Sequence, residues 1–184
     1  MATLVIALSF GKRRKDQEPN PSNFQLGREL EEVIDNTTGM LSIGKLLVVA
    51  QWEIARQLEQ DGYGSSIDLV VTQNSATYKG KKRYLDSQDV IDKALDWAST
   101  LTDKVTDVII VANPFLHLSA CKKLVEARGL KAIDYPIGKI PFDNAPPQLQ
   151  WWCKGPIRFI LYGVIVKGGE VFRLNLHGIG EHSE

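Results

Sequence analysis

The segment Val108-Ile109-Ile110-Val111-Ala112-Asn113-Pro114-Phe115-Leu116-His117 sets an imidazole four residues beyond the tip of an apolar run. A β-branched run that breaks at Asn-Pro reads as a buried strand passing straight into a helix, with Asn113 at the strand tip and His117 in the first helical turn. Main-chain N–H groups there lack intrahelical partners and favour anions. The positive end of the helix lowers a histidine's pKa and favours the neutral ring, which can accept a proton or donate one hydrogen bond. His117 is therefore the candidate acid–base residue. It also stands one turn before Cys121 on the face turned to the sheet, and filling that seam accounts for it equally well.

Other apolar runs also end in polar residues. Ser9, Gly11 and Lys12 follow Leu4–Leu8, and Thr72, Asn74 and Ser75 follow Leu69-Val70-Val71. In an open parallel sheet, ligands bind outside the carboxyl ends of the strands, where neighbouring crossovers diverge. These six residues and Asn113 are thus the candidate ligand-binding set, although turn chemistry alone explains polar residues after strands. Two basic loops, Lys12-Arg13-Arg14-Lys15 and Lys79, Lys81, Lys82 and Arg83, could rim the same edge and concentrate an anion; a solvated loop is the plainer account of each.

Glu53 beside Trp52 and the pair Asp86 and Asp89 are further acids, the latter pair explained by helix capping. His177, Glu181 and His182 form too sparse a terminal set to suggest a metal, and none is expected. No Gly-x-Gly-x-x-Gly, Gly-x-x-x-x-Gly-Lys-Ser/Thr or Gly-x-Ser-x-Gly is present, which removes the usual dinucleotide, nucleoside triphosphate and serine hydrolase signatures. Cofactor identity is left open. Trp151-Trp152 follows a proline-rich stretch and offers a contact surface or an anchor for that stretch.

Elements that would position these residues alternate along the chain. Residues 3–8 read as a strand, 24–35 as a short helix, 67–72 as a second strand, and 107–112 as a third, followed by a helix with Ala120, Cys121, Leu124 and Val125 inward and Gly129 as its stop. From Ser42 to Gly62 the three- and four-residue spacing of Ile43, Leu46, Leu47, Ala50, Ile54 and Leu58 predicts one long helix, with a strand over Lys45–Ala50 as the rival. Val90, Ile91, Ala94, Leu95, Ala98 and Leu101 make the clearest amphipathic helix, opened by Asp86 or Ser87. Residues 131–135 read as a fourth strand, 137–152 as an irregular proline-rich segment that could act as a lid, 148–166 as the stretch that contains the last helix, 170–176 as a candidate C-terminal edge strand, and 178–184 as a frayed tail. The expectation is one α/β domain over residues 1–184, a three-layer Rossmann-like open and mostly parallel sheet with helices on both faces.

With 184 residues and 43% apolar side chains, one core suffices without a disulfide framework. Lys+Arg and Asp+Glu both number 22, so no basic field suggests nucleic acid as a partner. The first apolar run lacks a preceding cation and Ile157–Val166 falls short of a bilayer span, so no membrane partner is expected. Cys121 and Cys153 suit a reducing compartment, and a cytoplasmic location is expected.

The order of a Leu-Val-Ile first strand, Ala55 and Leu58 before Asp61-Gly62, Leu69-Val70-Val71-Thr72, the Ser87-Gln88-Asp89 helix and the Val108–His117 segment resembles the YdcF/SanA family of unknown function. The likeness covers roughly residues 3–136, with Arg158–Tyr162 echoing the family's C-terminal helix. It implies a Rossmann-like fold, a site at the opening of the helix after Asn113, and a loose link to the bacterial cell envelope. The family often has Ser-Gly-Gly after the second strand and an arginine in that helix; here stand Thr72-Gln73-Asn74-Ser75 and Ser119, and the first strand ends in Ser9-Phe10-Gly11 instead of a glycine pair. Anion binding by that arginine is therefore not implied.

Together these features predict a protein that takes a small anionic or nucleotide-like ligand at the strand ends, with an enzyme using His117 left open. The alternative is a non-enzymatic interaction protein, a homodimer included, that uses the Trp151-Trp152 region.

Overall fold

The computed structural model describes residues 1–13, 19–38, 44–72, 77–78, 81–82 and 85–171. Among these, five strands form one all-parallel sheet: β1 (Ala2–Ala7), β2 (Lys45–Gln51), β3 (Leu69–Val71), β6 (Val105–Val111) and β7 (Lys131–Ile133), in the order β3-β2-β1-β6-β7. β1 lies at the centre, with Val5 opposite Val48 of β2 and Ile109 of β6. Its continuous apolar run is explained by cover on both faces: Leu4, Ile6 and Leu8 enter one core cluster and Val5 and Ala7 the other. A separate antiparallel ladder joins β4 (Thr77–Tyr78) to β5 (Lys81–Lys82), inside a stretch the sequence suggests as polar loop.

Five helices among the described residues complete the layers: α1 (Pro21–Thr38), α2 (Trp52–Gln60), α3 (Ser87–Ser99), α4 (His117–Glu126) and α5 (Pro156–Val171). Leu26, Leu30 and Val33 of α1 and Ile54 and Leu58 of α2 cover one face; Val90, Ile91 and Ala94 of α3 and Cys121 and Val125 of α4 cover the other. Burying each such Leu or Ile stabilises the fold by about 1.5–3 kcal/mol. α1 begins before Phe24 because Asn20 caps it, accepting the Asn23 N–H at 2.9 Å, and Pro21 takes the first helical position. α3 opens on a full capping box, Asp86 and Asp89 each accepting the other's backbone N–H.

Lys45–Ala50 is strand, not helix. Leu47, Val48, Val49 and Ala50 are buried between β1 and β3, and the strand passes into α2 at Gln51 with no intervening turn. A strand covered on both faces has no period of its own, so its apolar residues merged into the helical period that follows. Ala120 is exposed and does not face the core. Glu170 and Val171 end α5, so the edge strand expected over 170–176 does not start there; residues 172–176 and the 178–184 tail lie outside the described residues.

Candidate functional site

Succession in this sheet steps outward from β1 to β2 and β3, then returns to the other side of β1 for β6 and β7. The winding direction therefore reverses between β1 and β6, and their carboxyl ends form the switch point where such sheets bind ligands. Leu8 N–H still donates to Val111 O at 2.9 Å, and the chains part immediately afterwards, at Ser9-Phe10-Gly11 and Ala112-Asn113-Pro114.

Asn113 is 1% exposed. Its Oδ1 accepts the Phe115 N–H at 2.9 Å and its carbonyl the Leu118 N–H at 2.9 Å, while Nδ2 is buried without a hydrogen-bond partner. Leu116 takes φ 64° and ψ −31°, and the His117 N–H donates to Phe115 O at 2.8 Å. That is a γ-turn of the rare strained hand, and it swings the His117 ring into the protein. His117 Nε2 lies 2.7 Å from Ser87 Oγ at the start of α3, and its Nδ1 is shut off from solvent without a partner. Ser87 also hydrogen-bonds the Cys121 thiol one turn along α4. Burial lowers the His117 pKa to about 4 and, outweighing the Ser87 hydrogen bond, pushes the thiol up to about 12. Ring, hydroxyl and thiol are all neutral at ordinary pH.

Ser87, 30 residues upstream of His117, stands in the sequence as a helix opener and not as a partner for the imidazole. The signal was topological: α3 and α4 cover the same face and both begin at the carboxyl edge of the sheet, which brings their first turns together.

The remaining candidates divide. The Ser9 N–H donates to Gln51 Oε1 at 3.1 Å, beside the switch point. Gly11 and Lys12 lie there too, but their backbone serves the protein itself: Gly11 O accepts from Asn23 Nδ2, Lys12 N–H donates to Gln148 Oε1 at 2.8 Å, and Lys12 O accepts the Leu149 N–H at 2.8 Å. Arg13 forks onto Asp143, Nε to Oδ2 and Nη2 to Oδ1, both at 2.7 Å, so its guanidinium faces a carboxylate and not an incoming phosphate. The proline-rich segment is thus strapped across the loop after β1. Thr72 is exposed at the end of β3, the sheet's edge, two strands from β1, and does not join the switch point. Asn74 and Ser75, like Arg14, Lys15, Lys79 and Arg83, lie outside the described residues.

Gly11 has φ +88°, and a Cβ there would run into the Gln148 side-chain amide and approach Asn20 Nδ2 at 3.3 Å. Gly11→Ala combines a disfavoured conformation with overpacking, and should lower unfolding free energy by about 2 kcal/mol. Urea titration reads this directly; an unchanged midpoint would show that the strap does not press on the loop.

An aromatic cluster backs the site. The Phe10 ring centroid lies 5.7 Å from His117, 5.4 Å from Phe142 and 5.2 Å from Phe159 of α5. Trp151 and Trp152 stand in a short 3₁₀ turn before α5; both are partly exposed, and Trp152 stacks on Tyr162 with centroids 4.4 Å apart. Among the described residues, no three of His, Cys, Asp and Glu gather to hold a metal ion, and no helix is long and apolar enough to cross a membrane. No family model matches the chain, and no curated protein or solved structure matches it either.

Proposed function

We propose that the protein binds a small anionic or nucleotide-like ligand at the β1/β6 switch point, with Asn113 and His117 as its polar anchors. The observation that carries this reading is that two of the buried side-chain atoms without partners, Asn113 Nδ2 and His117 Nδ1, fall on the loop and helix opening that leave β6. Buried polar groups are nearly always paired, so two orphans at the place where such sheets take ligands argue for a missing acceptor. The Ser87 hydroxyl can donate to His117 Nε2. In that arrangement Nδ1 carries the hydrogen, and both orphans are donors suited to a carboxylate, phosphate or carbonyl oxygen.

Binding is better supported than acid–base turnover. A ring held neutral to about pH 4 by burial is a weak base, and among the described residues no carboxylate partners Nδ1 to stabilise an imidazolium. The resemblance to the YdcF/SanA family, carried by the Val108–His117 segment, agrees with a site at this helix opening. A cytoplasmic setting belongs to the same reading, supported by two buried free cysteines.

Thermal unfolding with sugar phosphates, nucleotides and dicarboxylates tests it. A ligand at a hundredfold its Kd should add about 2.7 kcal/mol, or roughly 5–10 °C for a chain of this size. Asn113→Asp keeps the acceptor for Phe115 but replaces the free donor by a negative charge, and should abolish the shift while the protein remains folded. No shift with any anion, or an equal shift in Asn113→Asp, would defeat the reading.

A further inference from the structure

We propose that the outward face of α5, with Trp151 and Trp152 at its base, docks on the surface of an anionic lipid bilayer. This goes beyond the ligand site and uses none of its residues. Ile157, Ile160, Leu161, Val164 and Ile165 recur at three- and four-residue steps along one side of α5, and all are exposed, Ile157 at 73% and Val164 at 64%. The opposite side is occupied, since Phe159 packs on Phe10 and Phe142 and Tyr162 stacks on Trp152. The stripe is therefore not a core face awaiting a partner within the described residues. Contiguous exposed aliphatic residues on this scale mark an interaction surface.

Charge selects the occupant. From Asn144 to Val171, the end of α5, the sequence contains three cations, Lys154, Arg158 and Lys167, and one carboxylate, Glu170. Arg158 is exposed one residue into the stripe. A second copy would set one net-positive face against another, so the complement this face lacks is negative. Anionic headgroups supply that complement, and long basic side chains reach them while their stems lie along the apolar stripe. Trp151, partly exposed just before α5, favours the same depth because an indole joins an apolar body to a polar tip. From Ile157 to Ile165 the helix advances about 12 Å, enough to lie in the interfacial layer and not to span it.

The full chain is mixed with sedimentable vesicles of phosphatidylcholine plus phosphatidylserine, and of phosphatidylcholine alone. It should pellet with the anionic vesicles and bind the neutral ones roughly tenfold more weakly. Leu161→Asp combined with Val164→Asp should remove binding while leaving the melting temperature within a few degrees, because both positions are exposed. Arg158→Glu should weaken binding to anionic vesicles roughly fivefold or more. Wild-type protein left in solution with anionic vesicles, or a double variant that still pellets, overturns the proposal. So does light scattering that finds a vesicle-free dimer which the double variant dissociates, since the face then belongs to a second copy.

Discussion

Replacing Arg13 by Met is expected to lower unfolding free energy by about 3–5 kcal/mol, the range for leaving one partner of a buried ion pair uncompensated. The Asp143 side chain is 2% exposed, and its two short contacts both come from the Arg13 guanidinium. Its other contacts, with Gln148 Nε2 at 3.4 Å and Ala145 N–H at 3.3 Å, are too long to hold a buried carboxylate in its place. Asp143→Asn should cost less, about 1–2 kcal/mol, because Arg13 is 18% exposed and water can reach it. Urea unfolding of the two single variants and the double variant measures the coupling directly. A change within about 0.5 kcal/mol for Arg13→Met would mean the loop rests on its other contacts.

His117 should make the protein acid-sensitive in a defined window. Its folded pKa of about 4 lies below the ordinary 6.5, so between these values the unfolded chain binds the proton and the folded chain does not. Stability is thus unaffected by this group above about pH 6.5 and falls as pH falls through the window, by about 2 kcal/mol at pH 5 and about 3 at pH 4. Below the folded pKa the loss levels off. His117→Gln has no ring to protonate and should unfold with that much less pH dependence, the carboxylate contributions remaining. Equal slopes in variant and wild type would show that the ring is solvated. An anion resting on Nδ1 would raise the folded pKa and flatten the same slope.

What the sequence made legible follows from how each element is stabilised. β1 and β6 announce themselves because strands covered on both faces need unbroken apolar runs, and α3 because an amphipathic stripe and a capping box agree on its start. β2 was hidden by its direct junction with α2, where Gln51 ends one element and precedes the next. Asn113 and His117 were visible as a motif, and Ser9 as a neighbour at the strand end. Ser87, Asp143 and Gln148 were not, because each meets its partner only after the sheet order is fixed. Arg13 shows the limit of reading charge from composition: in a basic run it looks like an anion guide, yet it is committed to a carboxylate 130 residues away.

That separation has a consequence for how the molecule is made. The loop after β1 is held by Gln148 and Asp143, 136 and 130 residues farther along the chain. At about 5–20 residues per second of synthesis, the Lys12 backbone waits roughly 7–27 s for its partner to emerge. Contacts of such long range also close late in refolding, after local helices and the central sheet. The mouth of the switch point is accordingly the last part to be finished, and a newly made chain gains its sheet before the loop after β1 is strapped down.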